Sequence, residues 1–166
     1  MNIVLIGFMG SGKSSVARAI SEKTGMAVVD LDAEIEKAAR KAISEIFETV
    51  GETGFRELEV RECAKASKRD GVVVSCGGGV VLNRTNVLRL KKNGKIFWLK
   101  TGAKEISRRV SGEPAKRPLL EGRSSKEIRK MLRLRQPLYE SAADFTVATD
   151  RRSVEEIADR ILEAVA

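Results

Sequence analysis

The first fourteen residues place a short apolar run directly before a glycine-rich segment. The run Asn2–Ile6 has the composition of a buried β-strand, and residues 7–14 have the sequence GFMGSGKS. This order satisfies the pattern G-x-x-x-x-G-K-[ST], in which glycines let backbone N–H groups turn towards phosphate oxygens. The apolar spacing in residues 14–23 predicts that a helix follows and adds its positive end at the same point. The segment therefore predicts a site for a nucleoside triphosphate.

The side chains of this segment have separate expected tasks. Lys13 would neutralise charge on the outer phosphates, and the Ser14 hydroxyl would join Mg²⁺. The alternative is a glycine turn that carries a lysine by chance, but a strand before it and a helix after it favour the phosphate site. The residues expected to bind the triphosphate here are Gly10, Ser11, Gly12, Lys13, Ser14 and Ser15.

The remainder of the chain alternates between strand-like and helical patterns. Runs rich in Val, Ile and Leu recur at Ala27–Asp30, 71–75, 95–100 and Phe145–Ala148, and helical spacing is found in residues 124–142 and 153–165. Strands that alternate with helices predict a parallel sheet covered on both faces. A chain of 166 residues with 42% hydrophobic residues fits one domain, residues 1–166.

Two regions do not resemble helices that cover a sheet. Residues 32–68 form a long helical stretch, broken near Lys41 and Gly51, where a simple crossover between parallel strands would need far fewer residues. This stretch has room to form a small subdomain at about residues 32–60. Residues 111–125 contain two glycines, two prolines and three cations without periodicity, which predicts a lid loop carrying Arg117.

The composition limits the partners and the cellular setting. The net charge of +8 suits either nucleic acid or small anionic ligands, but only 4% of residues are aromatic, too few for base-stacking platforms. We therefore expect small-molecule partners and no nucleic acid. The chain has no His and two Cys without CxxC spacing, which leaves little material for a zinc site and favours a reducing cytoplasmic setting. No apolar run approaches the length of a membrane span, so we expect no membrane partner, and we expect a monomer.

The second strand ends in VVDLD, which puts Asp30 and Asp32 two residues apart. Both side chains can then point into the crevice beside the phosphate loop. One carboxylate could support Mg²⁺ and its waters, and the other could accept a hydrogen bond from an acceptor hydroxyl. The alternative for either residue is a helix N-cap. Because no N-K-x-D motif is present, a GTPase switch is disfavoured, and the pair favours phosphoryl transfer.

Three clusters point to an anionic acceptor. Arg56 and Glu59 lie three apart on one helical face, so the carboxylate can hold the guanidinium. Residues 77–79 are three glycines at a strand end, where bare backbone lets a ligand approach closely. Arg133 and Arg135 fall in a helix expected to run beside the sheet. The alternatives are, respectively, a surface ion pair, a tight turn and solvated arginines.

The order of these motifs resembles one family closely. The matching segments are GFMGSGKSS, DLD, IFETVGETGFRELE, GGG, KRPLL, RQPLYESAADF and DRR, which run nearly end to end. They resemble shikimate kinase, a P-loop protein with a fold like that of nucleoside-monophosphate kinases. The resemblance implies an α/β fold with three α/β/α layers and a five-stranded parallel sheet of order 2-3-1-4-5. It also implies Mg²⁺-dependent transfer of the ATP γ-phosphate to the 3-hydroxyl of shikimate, a step of chorismate and aromatic amino-acid biosynthesis.

The resemblance also implies a role for each matched residue. Lys13, Asp32 and Arg117 would be catalytic, Ser14 and Asp30 would hold the metal, and Arg109, Arg117 and Arg152 would join the phosphate loop in binding ATP. The residues implied for shikimate are Asp32, Arg56, Glu59, Gly77, Gly78, Gly79 and Arg135. The small stretch at about residues 32–60 would accordingly be an acceptor-binding subdomain. Gluconate kinase and nucleotide kinases are the competing enzymes, since gluconate is also a hydroxylated carboxylate. A regulatory ATP-binding module would need no combination of Asp32, Arg56 and Arg135.

Overall fold

A computed structural model describes residues 1–110 and 124–166 of the chain. Five strands and seven α-helices alternate along the described part, with a short 3₁₀ turn at Val80–Leu82. The strands are β1 (Asn2–Ile6), β2 (Ala27–Asp30), β3 (Val72–Ser75), β4 (Gly94–Lys100) and β5 (Phe145–Ala148). The helices are α1 (Lys13–Thr24), α2 (Leu31–Ala39), α3 (Ile43–Ser67), α4 (Arg84–Lys92), α5 (Ala103–Val110), α6 (Ser125–Ala142) and α7 (Val154–Val165).

The five strands form one parallel sheet in the order β2-β3-β1-β4-β5. The chain thus moves from β1 outward to one edge and then back across to the other, which leaves a crevice at the carboxyl end of β1. Both the fold class and the strand order implied by the resemblance are confirmed. The phosphate loop follows β1, and so it lies at the centre of this edge of the sheet.

Alternation along β1 divides the interior into two cores. Ile3 and Leu5 face α1 and α7, whereas Val4 and Ile6 face the helices α3, α4 and α6. Successive residues of a strand point to opposite faces, so the continuous apolar run of β1 is explained by helices on both sides of it. The result is the three-layer arrangement, with the most buried strand leading directly into the phosphate loop.

The long helical stretch after β2 contains the two breaks that the sequence predicts. Helix α2 ends at Ala39, its capping residue Arg40 has a left-handed backbone with φ 54°, and α3 begins at Ile43. Inside α3, Gly51 has φ 67° and ψ −173°, a conformation that side chains larger than hydrogen disfavour. A third core forms between these helices from Ile35, Ile46 and Phe55. This small core supports one wall of the cleft described below.

The sequence patterns matched the strands to within one residue at each end but missed two helices. Helix α4 was not predicted because its nine residues include five cations or amides and only one buried leucine, Leu90. Helix α5 has a single buried hydrophobic residue, Ile106, among the residues whose burial is described. Across residues 1–110 and 124–166, no helix combines the length and apolar character that crossing a membrane requires.

Candidate active site

The carboxyl ends of β1, β2 and β3 open into a cleft of about 1110 Å³. The phosphate loop lines its middle. On the β2 side the cleft is lined by Asp30, Asp32, Arg56, Glu59 and residues 77–79. On the β4 and β5 side it is lined by Arg108, Arg109 and Arg152. Because of the strand order, the residues predicted to bind the acceptor lie on one side of the phosphate loop. Those predicted to bind the nucleotide base lie on the other side.

The phosphate loop is shaped by glycines and closed around Lys13. Gly10 and Gly12 have φ values of 83° and 91°, which a residue with a side chain rarely adopts. The Lys13 ammonium donates to the carbonyl oxygens of Gly7 at 2.8 Å and Phe8 at 3.0 Å. Its side chain is 8% exposed. The Lys13 ammonium is thus held inside the loop, at the N-terminus of α1. Phosphate oxygens there would be attracted by the ammonium and by the partial positive charge of the helix end.

Asp30 has two functions that the sequence could not separate. Its Oδ1 caps α2 by accepting from the backbone N–H groups of Asp32 at 3.0 Å and Ala33 at 3.2 Å. Its Oδ2 accepts from the Ser14 hydroxyl at 3.3 Å. The helix N-cap considered as an alternative is therefore present at Asp30, yet it uses only one carboxylate oxygen. The other oxygen, together with Ser14, faces the cleft.

Asp32 lies in the first turn of α2, partly buried at the cleft wall. Its pKa is raised to about 6. The main cause is burial, which disfavours the charged carboxylate, and the negative charges of Asp30 and Glu59 add to it, while Lys13 acts in the opposite direction. A carboxylate with a pKa near 6 is a better proton acceptor than an exposed aspartate and remains mostly ionised at neutral pH.

Arg56 and Glu59 form the ion pair that their spacing predicts. The Arg56 Nη1 donates to Glu59 Oε1 at 2.9 Å, and a second Arg56 nitrogen donates to Glu52 Oε1 at 3.3 Å. Glu59 is only 2% exposed, and burial raises its pKa even though Arg56 opposes that rise. The guanidinium also lies 5.3 Å from the centre of the Phe55 ring. The two carboxylates and the ring hold the guanidinium in place. Arg56 lines the cleft in this position.

The three glycines after β3 permit close approach of charged side chains. A methyl group on the α-carbon of Gly77 would lie 3.0 Å from Asp32 Oδ1 and 3.1 Å from Glu59 Oε2. A methyl group on Gly79 would collide with the guanidinium of Arg56. Gly79 has φ −100°, which any residue adopts, so here glycine is needed for space and not for its backbone freedom. The turn therefore packs directly against the side chains of Asp32, Arg56 and Glu59, three of the predicted acceptor residues.

Arg135 differs from the other predicted acceptor residues because it does not line the cleft in the described part of the chain. It is 8% exposed on α6, with its guanidinium carbon 5.8 Å from the centre of the Phe8 ring. Its Nη1 is buried and has no hydrogen-bond partner among residues 1–110 and 124–166. A buried guanidinium nitrogen without a partner is uncommon and indicates a site completed by another molecule or segment.

Two of the predicted nucleotide arginines line the far side of the cleft. Arg109 donates to the Gly10 carbonyl oxygen at 3.0 Å and to Glu105 at 3.0 Å, which ties α5 to the phosphate loop. Arg152 donates to the Ala148 carbonyl oxygen at 2.9 Å. Glu105 has its pKa lowered to about 2, first by its hydrogen bond from Arg108. Arg117 and residues 111–123 of the predicted lid lie outside the described residues.

Comparison with known proteins identifies the group to which this site belongs. The family model for shikimate kinase matches residues 9–166. The chain is 43% identical over 163 residues to a shikimate kinase from Thermodesulfovibrio yellowstonii, which covers 98% of this chain and 93% of that protein. It is 41% identical over 161 residues to one from Caldicellulosiruptor saccharolyticus, covering 97% and 93%. The chain belongs to the shikimate kinase family.

Solved structures of shikimate kinases superimpose on the described fold. The structure from Acinetobacter baumannii, in complex with shikimate, gives a TM-score of 0.94 at 33% identity and covers 99% of this chain and 92% of that one. The structure from Aquifex aeolicus gives 0.87 at 32% identity, covering 99% and 96%. The expectation of a phosphotransferase enzyme is confirmed, as is the fold like that of nucleoside-monophosphate kinases.

Sequence reasoning did not predict several side chains that line the cleft of this shikimate kinase family member. They include Met9, Glu36, Ile43, Phe47 and Arg108. Most lie on α2 or α3. The apolar spacing predicts a helical stretch there, but it does not predict that these helices pack beside the cleft. Cys76 also lines the cleft, is 3% exposed, and has its pKa raised well above the usual value by complete burial. Its thiol is therefore a packing group at neutral pH.

Proposed function

We propose that this chain transfers the γ-phosphate of ATP to the 3-hydroxyl of shikimate, with the cleft as its active site. The proposal rests on family membership together with the combination of a phosphate loop, an ionised Asp32 and a fixed Arg56 in one cleft. The phosphorylation of shikimate by ATP is a step of aromatic amino-acid biosynthesis. We further propose that the protein works as a cytoplasmic monomer without nucleic acid or membrane partners.

The phosphate loop would hold the triphosphate. The residues proposed to bind it are Gly10, Ser11, Gly12, Lys13, Ser14 and Ser15. Lys13 lies at the N-terminus of α1 and would neutralise charge that develops between the β- and γ-phosphates as the bond breaks. Arg109 and Arg152 are proposed to flank the adenine, because both line the cleft on the β4 and β5 side. Arg117 is proposed to contact the transferring phosphate on the basis of the KRPLL resemblance alone.

The residues at the loop fit Mg²⁺ bound together with ATP. Mg²⁺ prefers oxygen ligands, usually keeps several waters and uses few protein groups beside the phosphates. The Ser14 hydroxyl and Asp30 Oδ2 supply one hydroxyl and one carboxylate oxygen 3.3 Å apart at the cleft surface. We propose that Ser14 binds the ion directly and Asp30 through water. The bound ion would neutralise negative charge on the phosphate oxygens.

One observation carries the acceptor assignment. Five buried side-chain polar atoms have no hydrogen-bond partner among the described residues, and three of them belong to predicted acceptor residues: Arg56 Nε, Glu59 Oε2 and Arg135 Nη1. Unpaired buried polar atoms are costly and rare, and two of these three belong to residues that line the same side of the cleft. A small ligand with one carboxylate and several hydroxyls would pair with both arginines and with Glu59. Shikimate has that set of groups, with Gly77, Gly78 and Gly79 forming the floor beneath it.

The chemical step would use Asp32 as the proton acceptor. The 3-hydroxyl oxygen of shikimate forms a bond with the γ-phosphorus, its proton passes to the Asp32 carboxylate, and the bond to the β–γ bridging oxygen breaks to release ADP. The raised pKa of Asp32, about 6, suits a group that accepts a proton near neutral pH. Its carboxylate lies beside Gly77 and interacts electrostatically with Lys13, so it would lie between the proposed sites for shikimate and ATP.

A coupled assay that detects ADP release tests this function. The purified chain is supplied with ATP and Mg²⁺ and, in parallel, with shikimate, gluconate or CMP. We expect turnover with shikimate and less than about one hundredth of that rate with the other two. Turnover with gluconate or CMP at the shikimate rate would contradict the acceptor assignment. ATP binding without turnover of any acceptor would indicate a regulatory module instead.

A further inference from the structure

The backbone carbonyls of the three glycines after β3 are all occupied. Gly77 O accepts from the Val80 N–H at 3.2 Å, and Gly79 O accepts from the Leu82 N–H at 3.0 Å. The middle carbonyl, Gly78 O, accepts instead from the Tyr139 hydroxyl at 2.5 Å. Local turn geometry therefore satisfies the outer two carbonyls, while the middle one depends on a side chain 61 residues away.

The bond from Tyr139 fixes the direction of a backbone donor. In a trans peptide the carbonyl of one residue and the N–H of the next point in opposite directions. Because Gly78 O points towards Tyr139 in the core, the Gly79 N–H points away from it. No described residue accepts a hydrogen bond from that N–H, and Gly79 lines the cleft beside Arg56. The peptide thus presents a free donor on the acceptor side.

Tyr139 is held rigidly in its own position. It is fully buried, and its ring stacks on Trp98 of β4 with centroids 5.8 Å apart and planes at 27°. Burial raises its pKa to about 12, although the neighbouring Arg135 guanidinium opposes that rise, so its hydroxyl remains a donor over the whole working range of pH. Tyr139 lies four residues after Arg135 on α6, and both face the interior. The contact therefore connects the sheet and α6 to the floor of the cleft.

We propose that Tyr139 is a positioning residue for the acceptor, because its hydroxyl holds the Gly78–Gly79 peptide so that the Gly79 N–H can donate to an acceptor oxygen. The inference rests on the proposed function, since the acceptor is shikimate. Gly79 is already among the residues proposed for shikimate, and what is added is the role of Tyr139, a side chain outside the cleft that sets the direction of this donor. The oxygen that it would bind is a hydroxyl or carboxylate oxygen, the only acceptor groups that shikimate carries.

The substitution Tyr139→Phe tests this role because it keeps the stacked ring and removes only the hydroxyl. Without its partner the Gly78 carbonyl would turn towards water, and the Gly79 N–H would lose its direction. We expect the KM for shikimate to rise about tenfold, since one well-placed hydrogen bond is worth roughly that factor. The KM for ATP should stay within about twofold and kcat within about threefold, because the Tyr139 hydroxyl bonds to the Gly78 carbonyl and, among the described residues, to no group of the phosphate loop.

A matched control separates positioning from loss of stability. Ile161→Val removes one methyl group from the core on the opposite face of the sheet, where Ile161 packs in the group with α1. Both variants should lower the melting temperature, but only Tyr139→Phe should change the KM for shikimate. An unchanged KM for shikimate in Tyr139→Phe would overturn the proposal. Equal increases in both KM values would also overturn it, because they would indicate a general loosening of the cleft.

A measurement on the unmodified protein gives an independent test. The amide proton and nitrogen resonances of Gly79 should shift when shikimate is added in the presence of ADP. If the Tyr139→Phe variant folds, this shift should be reduced in it at saturating shikimate. An unperturbed Gly79 amide in the saturated unmodified protein would overturn the proposal even if the variant failed to fold. Absence of shikimate phosphorylation by the unmodified enzyme would instead contradict the proposed function.

Discussion

Asp32 and Glu59 come from different helices, yet their carboxylates approach the same α-carbon, that of Gly77. A methyl group at that carbon would lie 3.0 Å from the Asp32 oxygen and 3.1 Å from the Glu59 oxygen. Burial raises the pKa of both carboxyl groups, and the negative charge of Glu59 adds to the rise at Asp32. Their shared position gives the cleft a dependence on pH that neither residue would have on an exposed surface.

The first prediction concerns the pH dependence of turnover. As the proposed proton acceptor, Asp32 would act only when it is ionised, and burial raises its pKa to about 6. We therefore expect kcat to fall as pH decreases through about 6, approaching a tenfold loss for each further pH unit. The measurement is kcat at saturating ATP and shikimate across the range in which the protein remains folded. A rate that stayed constant down to pH 4.5 or so would contradict the role of Asp32 as proton acceptor.

The second prediction is that Asp32→Asn makes the protein less active and more stable. Loss of the proton acceptor should lower kcat by about 10² to 10⁴. In the unfolded chain Asp32 has its ordinary pKa of 3.8, so ionising it in the folded protein costs free energy as pH rises from about 4 to 6. Asparagine avoids this cost, which is at most about 3 kcal/mol, because partial exposure of Asp32 lets water screen part of it.

The stability gain of Asp32→Asn should therefore be present at pH 8 and absent below about pH 4, where aspartate is neutral in both states. Chemical denaturation at the two pH values measures it. A gain of equal size at both would indicate that the amide makes new contacts, and no gain at pH 8 would mean that the carboxylate is not under electrostatic strain.

The third prediction compares the two carboxylates that hold Arg56. Glu59 is buried and 2.9 Å from the guanidinium, while the Glu52 side chain is 53% exposed and 3.3 Å away. Exposed ion pairs contribute little, whereas removing one partner of a buried pair leaves the other charge poorly compensated. Glu59→Gln should raise the KM for shikimate at least about tenfold, and Glu52→Gln should leave it within about twofold. Steady-state kinetics on both variants decide whether burial or mere proximity orients Arg56.

The fourth prediction uses the glycine beneath Arg56. In Gly79→Ala the backbone remains relaxed, but the new methyl group would occupy the space of the Arg56 guanidinium. We expect a measurable loss of stability, because moving the guanidinium weakens its contact with buried Glu59, together with a KM for shikimate raised about tenfold or more.

Gly25→Ala is the matched control for the fourth prediction. Gly25 caps the far end of α1 with φ 76° and has open space around it. Alanine there should cost about 1 kcal/mol of unfolding free energy through backbone strain and leave both KM values unchanged. The same KM increase in both variants would show that the effect of Gly79→Ala is not local to Arg56.

The sequence was sufficient for the parts of the site that depend on local order. The phosphate loop is a continuous segment between β1 and α1, so its spacing alone predicts its shape. The pairing of Arg56 with Glu59 also follows from spacing along one helix. The distinction between Asp30 and Asp32 did not follow, because either could have capped α2, and the choice depends on where the helix begins.

The contacts made between distant segments could not be predicted. Tyr139 is the only tyrosine of the chain and lies in the quoted segment RQPLYESA, yet its partner is a backbone carbonyl of a glycine 61 residues away. A carbonyl has no sequence signature. Likewise, the breaks at Arg40 and Gly51 mark where the helices turn, but not which side chains the turn brings over the cleft.

The third core, formed by Ile35, Ile46 and Phe55, has a consequence for how such an enzyme changes over evolutionary time. The wall that carries Arg56 is packed on this small interior, separately from the two cores that flank the sheet beneath the phosphate loop. Substitutions that reshape the wall therefore have folding costs that stay local to it. During evolution, the residues of this wall can therefore change to fit a different acceptor while the phosphate loop keeps its sequence and structure.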